Sequence, residues 1–407
     1  MEHLRFFKTF DEFIFEGGNA RVIDRKTGKI LARAEKIDLK KFSRTEIVNS
    51  ITETLKQLNL MYQKRFSKLI WKSDDVISKS FSGSSEFFMD LSISDAEFVS
   101  SKQTVGDVDV IVPKEVKENF ENLMTSLEGS KLTKLITYLG QDRADFGTTW
   151  LGVFKYSKNG QSVNIQIDFE YGDWTEEGPS EWSKFSHNSN WEDIKNNIKG
   201  VHHKLLLINL ARALSKRNDI VIATPTSTPE KIKLVTGKKG DQTPRLLAFS
   251  VDKGLRIKCK QMEDASGNPI KANGKLIFQE IPIASSDYTK NIKEIYSYIF
   301  GKEPSAEDLK DFSSFSGLVK LIKKKLSKDD IEELFNFLLA ENLFGKKAQI
   351  IEKSDRDLDR KVKQTMVDKL FESFPFLKSK SGEVERMADE YYESKWSADW
   401  KFNDDDQ

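Results

Sequence analysis

The feature of this 407-residue sequence that most limits its fold is a pair of alternating runs, Leu151–Tyr156 and Val163–Tyr171, on either side of Ser157-Lys158-Asn159-Gly160. Asn-Gly between alternating strands is the strongest short-range signal of a β-hairpin. Upstream, Val76–Phe81 and Val108–Val112 read as strands, the second stopped by Pro113. Glu115 to Leu127 then carries helical spacing at Val116, Phe120, Leu123 and Leu127. The expected order of strand, helix, strand, helix and hairpin predicts an α/β or α+β unit, a mixed β-sheet with helices.

Elements flank this unit on both sides. Residues 1–16 read as an amphipathic helix through Phe6, Phe7, Phe10, Phe13 and Ile14, ended by Gly17-Gly18-Asn19. A hairpin around Lys26-Thr27-Gly28-Lys29 joins Arg21–Ile23 to Ile30–Ala34. Ser43 and Glu46 make a capping box before the buried stripe Ile47, Ile51, Leu55 and Leu58. A helix is expected from Gly200 to Ser215, then strands at Ile220–Ala223, Leu246–Val251, Leu255–Cys259 and Leu276–Ile281, and helices from Tyr288 onward. The chain therefore divides into an N-terminal helix and hairpin segment (1–72), a core (73–199), a basic α/β region (200–283) and a C-terminal helical region (284–407).

Composition narrows the class. The chain is polar, but 28 Phe and 7 Trp supply enough apolar surface for a folded core. Cys259 is the one cysteine, which excludes a disulfide framework or a thiolate metal cage and fits a reducing, cytoplasmic setting. No segment approaches the roughly 20 apolar residues of a membrane span, so no membrane partner is expected. A net charge of +1 gives no bulk attraction to nucleic acid, yet positions 200–260 hold 13 Lys/Arg against 4 acids and positions 381–407 hold 9 acids against 3 bases. Both runs read most simply as solvated faces; the basic one is also where phosphates would be held.

The chemistry points to three aspartates. In a chain with 64 acids, about ten pairs one residue apart arise by chance, so Asp107-Val108-Asp109 matters for its setting. Alternation with Val108 and Val110 at the start of an apolar strand turns both carboxylates to one face. Such a pair repels unless a cation sits between. Ile165-Gln166-Ile167-Asp168-Phe169 delivers a third aspartate in an apolar strand, and three hard oxygen ligands favour Mg²⁺. Glu170, on the same face as Asp168, is the rival third carboxylate.

Ser82-Gly83-Ser84-Ser85 stands after an expected strand and before an expected helix. Glycine lets the backbone approach an anion, while hydroxyls and helix N-terminal amides donate to phosphate oxygens. Taken in order, Gly83, Ser84, Asp107, Asp109 and Asp168 resemble the DNA polymerase β-like nucleotidyltransferase superfamily over residues 73–175. Glu16-Gly17-Gly18-Asn19-Ala20, Gln166-Ile167-Asp168-Phe169 and Lys199-Gly200-Val201-His202-His203-Lys204 are similar to phage-encoded nucleotidyltransferases, which would place the chain in a host cytoplasm. The resemblance implies a catalytic core at 73–199 that transfers a nucleoside monophosphate from an NTP to an acceptor hydroxyl with release of pyrophosphate. It implies Asp107 and Asp109 as ligands of two Mg²⁺ ions, Asp168 as ligand of the second, and Gly83, Ser84 and Ser85 as holders of the phosphates. Residues Met89 to Val105 read as a polar insertion that loops out without moving the strands.

Other residues are weighed beside these. Lys204 and Arg212 either reach the triphosphate or face solvent. His202 and His203, adjacent on a helix, diverge by about 100° and do not share one ion. Lys323-Lys324-Lys325 reads as a solvated face, and Cys259 as a core residue. A nucleic-acid 3′ end suits the basic region as acceptor, while a protein or small-molecule hydroxyl suits the near-zero net charge. A silent module of the same fold, binding nucleic acid or protein, is the competing reading.

Overall fold

The computed structural model describes residues 20–24, 27, 29–141, 149–185, 190–196, 198, 200–215, 220–223, 234–235, 246–250, 254–281, 288–344 and 356–399. Helices and small mixed sheets give an α+β architecture in two compact units, residues 1–201 with 351–366 and residues 202–350 with 367–407. The expected helix over residues 1–16 and the Gly17-Gly18-Asn19 stop lie outside the described residues.

In the first unit, β1 (Arg21–Ile23) and β2 (Ile30–Arg33) form the expected hairpin, and β3 (Ile37–Asp38) pairs with β4 (Thr104–Val105). The helices α1 (Arg44–Phe66), α2 (Asp74–Ser78), α3 (Gly83–Met89) and α4 (Asp95–Ser101) precede β5 (Asp107–Pro113). After it come α5 (Lys117–Ser126), β6 (Ile136–Gln141), β7 (Thr149–Lys158) and β8 (Gln161–Gly172). The four long strands make one sheet in the order β5-β8-β7-β6, with β5 parallel to β8 and the other pairs antiparallel. Asn159 and Gly160, at φ +52° and +77°, make the two-residue turn of the β7–β8 hairpin.

Alternation gives this sheet two different faces. Val108, Val110 and Val112 of β5, Ile165, Ile167 and Phe169 of β8 and Trp150 and Phe154 of β7 are buried with Ile47, Ile51, Leu55 and Leu58 of α1 and Phe120 of α5. Phe120 and Phe169 set their ring centroids 4.9 Å apart at the centre of this layer. The opposite face carries the polar residues between those positions.

Two expectations are corrected. Val76–Phe81 is not a strand: Ser73 accepts the Val76 N–H, Asp74 and Asp75 occupy the first turn, and Val76 and Ile77 are buried from the short helix α2. Only Phe81 keeps a single bridge, to Val110 on the outer edge of β5. Nor does Met89–Val105 loop out. Ser94 caps α4 by accepting the Glu97 N–H, and Phe98 of α4 is completely buried. Above Phe98, 4.7 Å from its centroid, lies the buried guanidinium of Arg44. Its Nε donates to Phe88 O, its Nη1 to Ile93 O and Asp95 Oδ1, and its Nη2 to Phe87 O and Asp90 O.

In the second unit, Ile220–Ala223 and Lys275–Glu280 pair in parallel, and Cys259–Gln261 joins Lys275–Glu280 antiparallel. Cys259 is buried as expected, and burial pushes its thiol up to about 11. Lys325 departs from the expected solvated run: it lies 3.0 Å from Asp308, whose Oδ2 also accepts the Tyr296 hydroxyl at 2.9 Å. His202, His203 and Lys204, on the helix Gly200–Leu214, are all buried. His203 Nε2 donates to Phe312 O at 2.9 Å, and burial lowers its pKa to about 4.

That histidine makes stability pH-dependent. The unfolded chain protonates it below its ordinary 6.5 and the folded chain only near 4, so stability is lost as pH falls between those values. The full shift amounts to up to about 3 kcal/mol. Urea unfolding at pH 7 and pH 4 should show this loss in the parent and a smaller one in His203→Gln.

Candidate metal centre

The parallel register of β5 and β8 sets Asp107 beside Gln166 and Asp109 beside Asp168. Carboxylate oxygens of Asp107, Asp109 and Asp168 all lie within 4.8 Å of one another. Each of the three is half-buried. Glu170 stands one step further along the same face, beside Ile111, and its Oε2 is 3.5 Å from Ser82 Oγ. Among the described residues, the group with metal-holding spacing is therefore the two aspartates of β5 with Asp168.

Two polar residues fix the carboxylates. Ser85 is buried in α3; its Oγ accepts the Asp109 N–H at 2.8 Å and donates to Asp109 Oδ2 at 3.2 Å. Gln166 is buried in β8; its Nε2 donates to Asp168 Oδ1 at 2.8 Å and Oδ2 at 3.1 Å, and its Oε1 accepts the Ala20 N–H at 3.1 Å. The Ser85 hydroxyl is thus engaged with Asp109. Gln166 has a positioning role that its place in the strand pattern alone did not assign. The signal is present in the sequence: a glutamine two residues from Asp168, bracketed by Ile165 and Ile167, shares the aspartate's face.

The turn into α3 reaches this site through the edge of β5. Ile111 N–H donates to Ser80 O at 2.7 Å and Ser82 N–H to Asp109 O at 3.3 Å, so residues 80–82 run along the strand that carries the aspartates. Gly83 follows at φ +59°, where an L side chain is strained. Gly83, Ser84 and Ser85 therefore head a helix anchored at Asp109. Lys204 belongs to the second unit, where it is buried beside His203 in the chain.

Electrostatically the site is strained by its own charge. Burial pushes the Asp168 carboxyl well above its usual range, and the Asp107 charge and then that of Glu170 push in the same direction, against the hydrogen bond from Gln166. A cation among the three oxygens would relieve this, and an all-carboxylate donor set suits a hard divalent ion better than a soft one. The residues present fit such an ion. No family model, curated protein or solved structure matches the chain.

Two outcomes follow from this geometry. Asp168→Asn keeps an oxygen for Gln166 and removes a repelling charge, so in chelator its melting temperature should exceed the parent's, each 1 kcal/mol of relief appearing as about 2–4 °C. Gln166→Ala should weaken Mn²⁺ binding, followed by electron paramagnetic resonance, by about 10–100-fold, as loss of a partner that orients a ligand does.

Proposed function

We propose that the three aspartates form the active site of a Mg²⁺-dependent nucleotidyltransferase built on a DNA polymerase β-like sheet. The reaction moves a nucleoside monophosphate from an NTP to an acceptor hydroxyl, with a nucleic-acid 3′ end as the favoured acceptor. The observation that carries this reading is the convergence of Asp107, Asp109 and Asp168 beside the positive-φ turn at Gly83.

Bound Mg²⁺ would neutralise phosphate charge and acidify the acceptor hydroxyl. Asp107 and Asp109, on one face of β5, would hold the ion that neutralises the triphosphate. Ser85 keeps the Asp109 carboxylate turned to that task. Asp168, held by its Gln166 tether, orients the hydroxyl and takes its proton. The hydroxyl oxygen bonds to the α-phosphorus, the bond from that phosphorus to the bridging oxygen breaks, and pyrophosphate leaves. Gly83 and Ser84 supply the donors for the departing phosphates.

Asp107→Asn and Asp109→Asn should each lower transfer by at least about a thousandfold, the several kcal/mol of charge stabilisation at stake converted at about 1.4 kcal/mol per decade. Asp168→Asn should cost turnover more than NTP binding. The measurement is label transfer from each α-labelled NTP, with Mg²⁺, to RNA, DNA, protein and small-molecule acceptors. Parent-level transfer by Asp107→Asn would refute the assignment.

A further inference from the structure

The β1–β2 hairpin lies on the aspartate-bearing side of the sheet. Val22 packs with Ala20, Ala34 and Val153, and Val153 is the partner of Gln166 across β7 and β8. Gly140 of β6 admits this approach, because a Cβ there would stand 3.0 Å from Val22 Cγ1 and 2.6 Å from Glu128 Oε1. Asn164, two residues before Gln166, accepts the Glu35 N–H at its carbonyl and donates to Arg33 O through its side chain. The start of β1 is bound to Gln166 through the Ala20 N–H, and Gln166 to Asp168.

This hairpin sets two cations directly opposite one another. Elsewhere in the first unit Lys56, Lys79, Lys114 and Lys158 sit against acids. Among the described residues, Arg21, Lys29 and Arg33 of the hairpin, and Lys155 across from Asn164, join Lys36, Lys64, Lys68, Lys131 and Lys134 as cations of this unit without an acid partner, but only the hairpin brings two of them face to face. Arg21 and Arg33 are direct cross-strand partners. Like charges at opposed positions destabilise a strand pair, so this pair favours an anion above it. Ile30 and Leu31, 37% and 60% exposed, set apolar surface beside the cations.

We infer that this hairpin binds the backbone of a single-stranded nucleic acid whose 3′ end is directed to the aspartates. The destination of that end rests on the nucleotidyl-transfer reading; the binding surface does not. Cations answer phosphates, and the interleaved aliphatic side chains answer bases and sugars, which an acidic peptide does not offer. A single strand supplies both at every step.

The test uses the full-length protein and a 5′-fluorescein dodecanucleotide, with anisotropy measured from 50 mM to 500 mM NaCl. The parent should bind, with affinity falling as salt rises. Arg21→Gln with Arg33→Gln should lower the salt slope by about 1.4, at about 0.7 for each phosphate no longer neutralised, and so weaken binding about 20-fold at 0.1 M salt. Arg21→Lys with Arg33→Lys should retain most of the binding, which separates charge from hairpin folding. Lys72→Gln with Lys79→Gln, removing cations that already face Glu176 and Asp75, should bind like the parent. An unchanged slope in the Gln pair, equal losses in the Gln and Lys pairs, equal displacement by polyglutamate, or no oligonucleotide binding by the parent would each overturn the inference. Because anisotropy reads binding without turnover, these failures leave nucleotidyl transfer to another acceptor intact. Binding without label transfer would instead count against the enzymatic reading alone.

Discussion

The aspartate face depends on one buried cation. Arg44 opens α1, and its five N–H groups meet four main-chain carbonyls and Asp95 while its plane rests on Phe98. A guanidinium removed from water is tolerable only with its donors satisfied in this manner. Two of those carbonyls, of Phe87 and Phe88, belong to the end of α3, a seven-residue helix too short to persist alone, and a third to Asp90, the residue that caps it. Arg44 supplies the terminal hydrogen bonds that such a helix lacks and the positive charge its dipole favours there. By holding the far end of α3, it holds Gly83–Ser85 against β5. A residue some 60 positions before Asp107 thereby shares in the placement of the Asp109 carboxylate, through Ser85.

Where the sequence carries a local physical signal, the fold is legible in it. The Asn159-Gly160 hairpin, the Ser43 cap, the Asp107–Pro113 strand and the helix from Gly200 follow from turn chemistry, capping and periodicity. The half of the Ser43 capping box that fails is instructive: Glu46 points to Lys158 and Tyr156 of β7, a tertiary pairing no local pattern encodes. Val76–Phe81 misleads because two β-branched residues and a phenylalanine suggest a strand, yet the capping signal at Ser73-Asp74-Asp75 outweighs them. Ser94 and Glu97 were a second capping signal inside a stretch whose polarity suggested a loop.

At the candidate site, the three aspartates were visible from alternation because each strand's faces are set by a period of two. Their convergence was not, since it needs the register that pairs Asp109 with Asp168. The division of labour among serines was equally invisible. Ser82, Ser84 and Ser85 are alike in sequence, but only the helical geometry after Gly83 turns Ser85 inward to Asp109. Lys204 shows the reverse limit: a cation at the head of a basic stretch is buried, because residues 202–207 of the helix Gly200–Leu214 are covered on every side, which neither local charge nor periodicity announces.

The alternation of β5 has a consequence for how the chain finds its fold. Sliding β5 by a single residue against β8 would turn Asp107 and Asp109 onto the side occupied by Phe120 and Phe169, and expose the valines instead. Ionised carboxylates in that aromatic layer would cost several kcal/mol each, far more than a shifted hydrogen-bond ladder would lose. A parallel pair whose partners stand about 60 residues apart forms slowly and samples wrong alignments on the way. The carboxylates that crowd one another in the finished sheet are, during its assembly, what tells β5 which way up to lie.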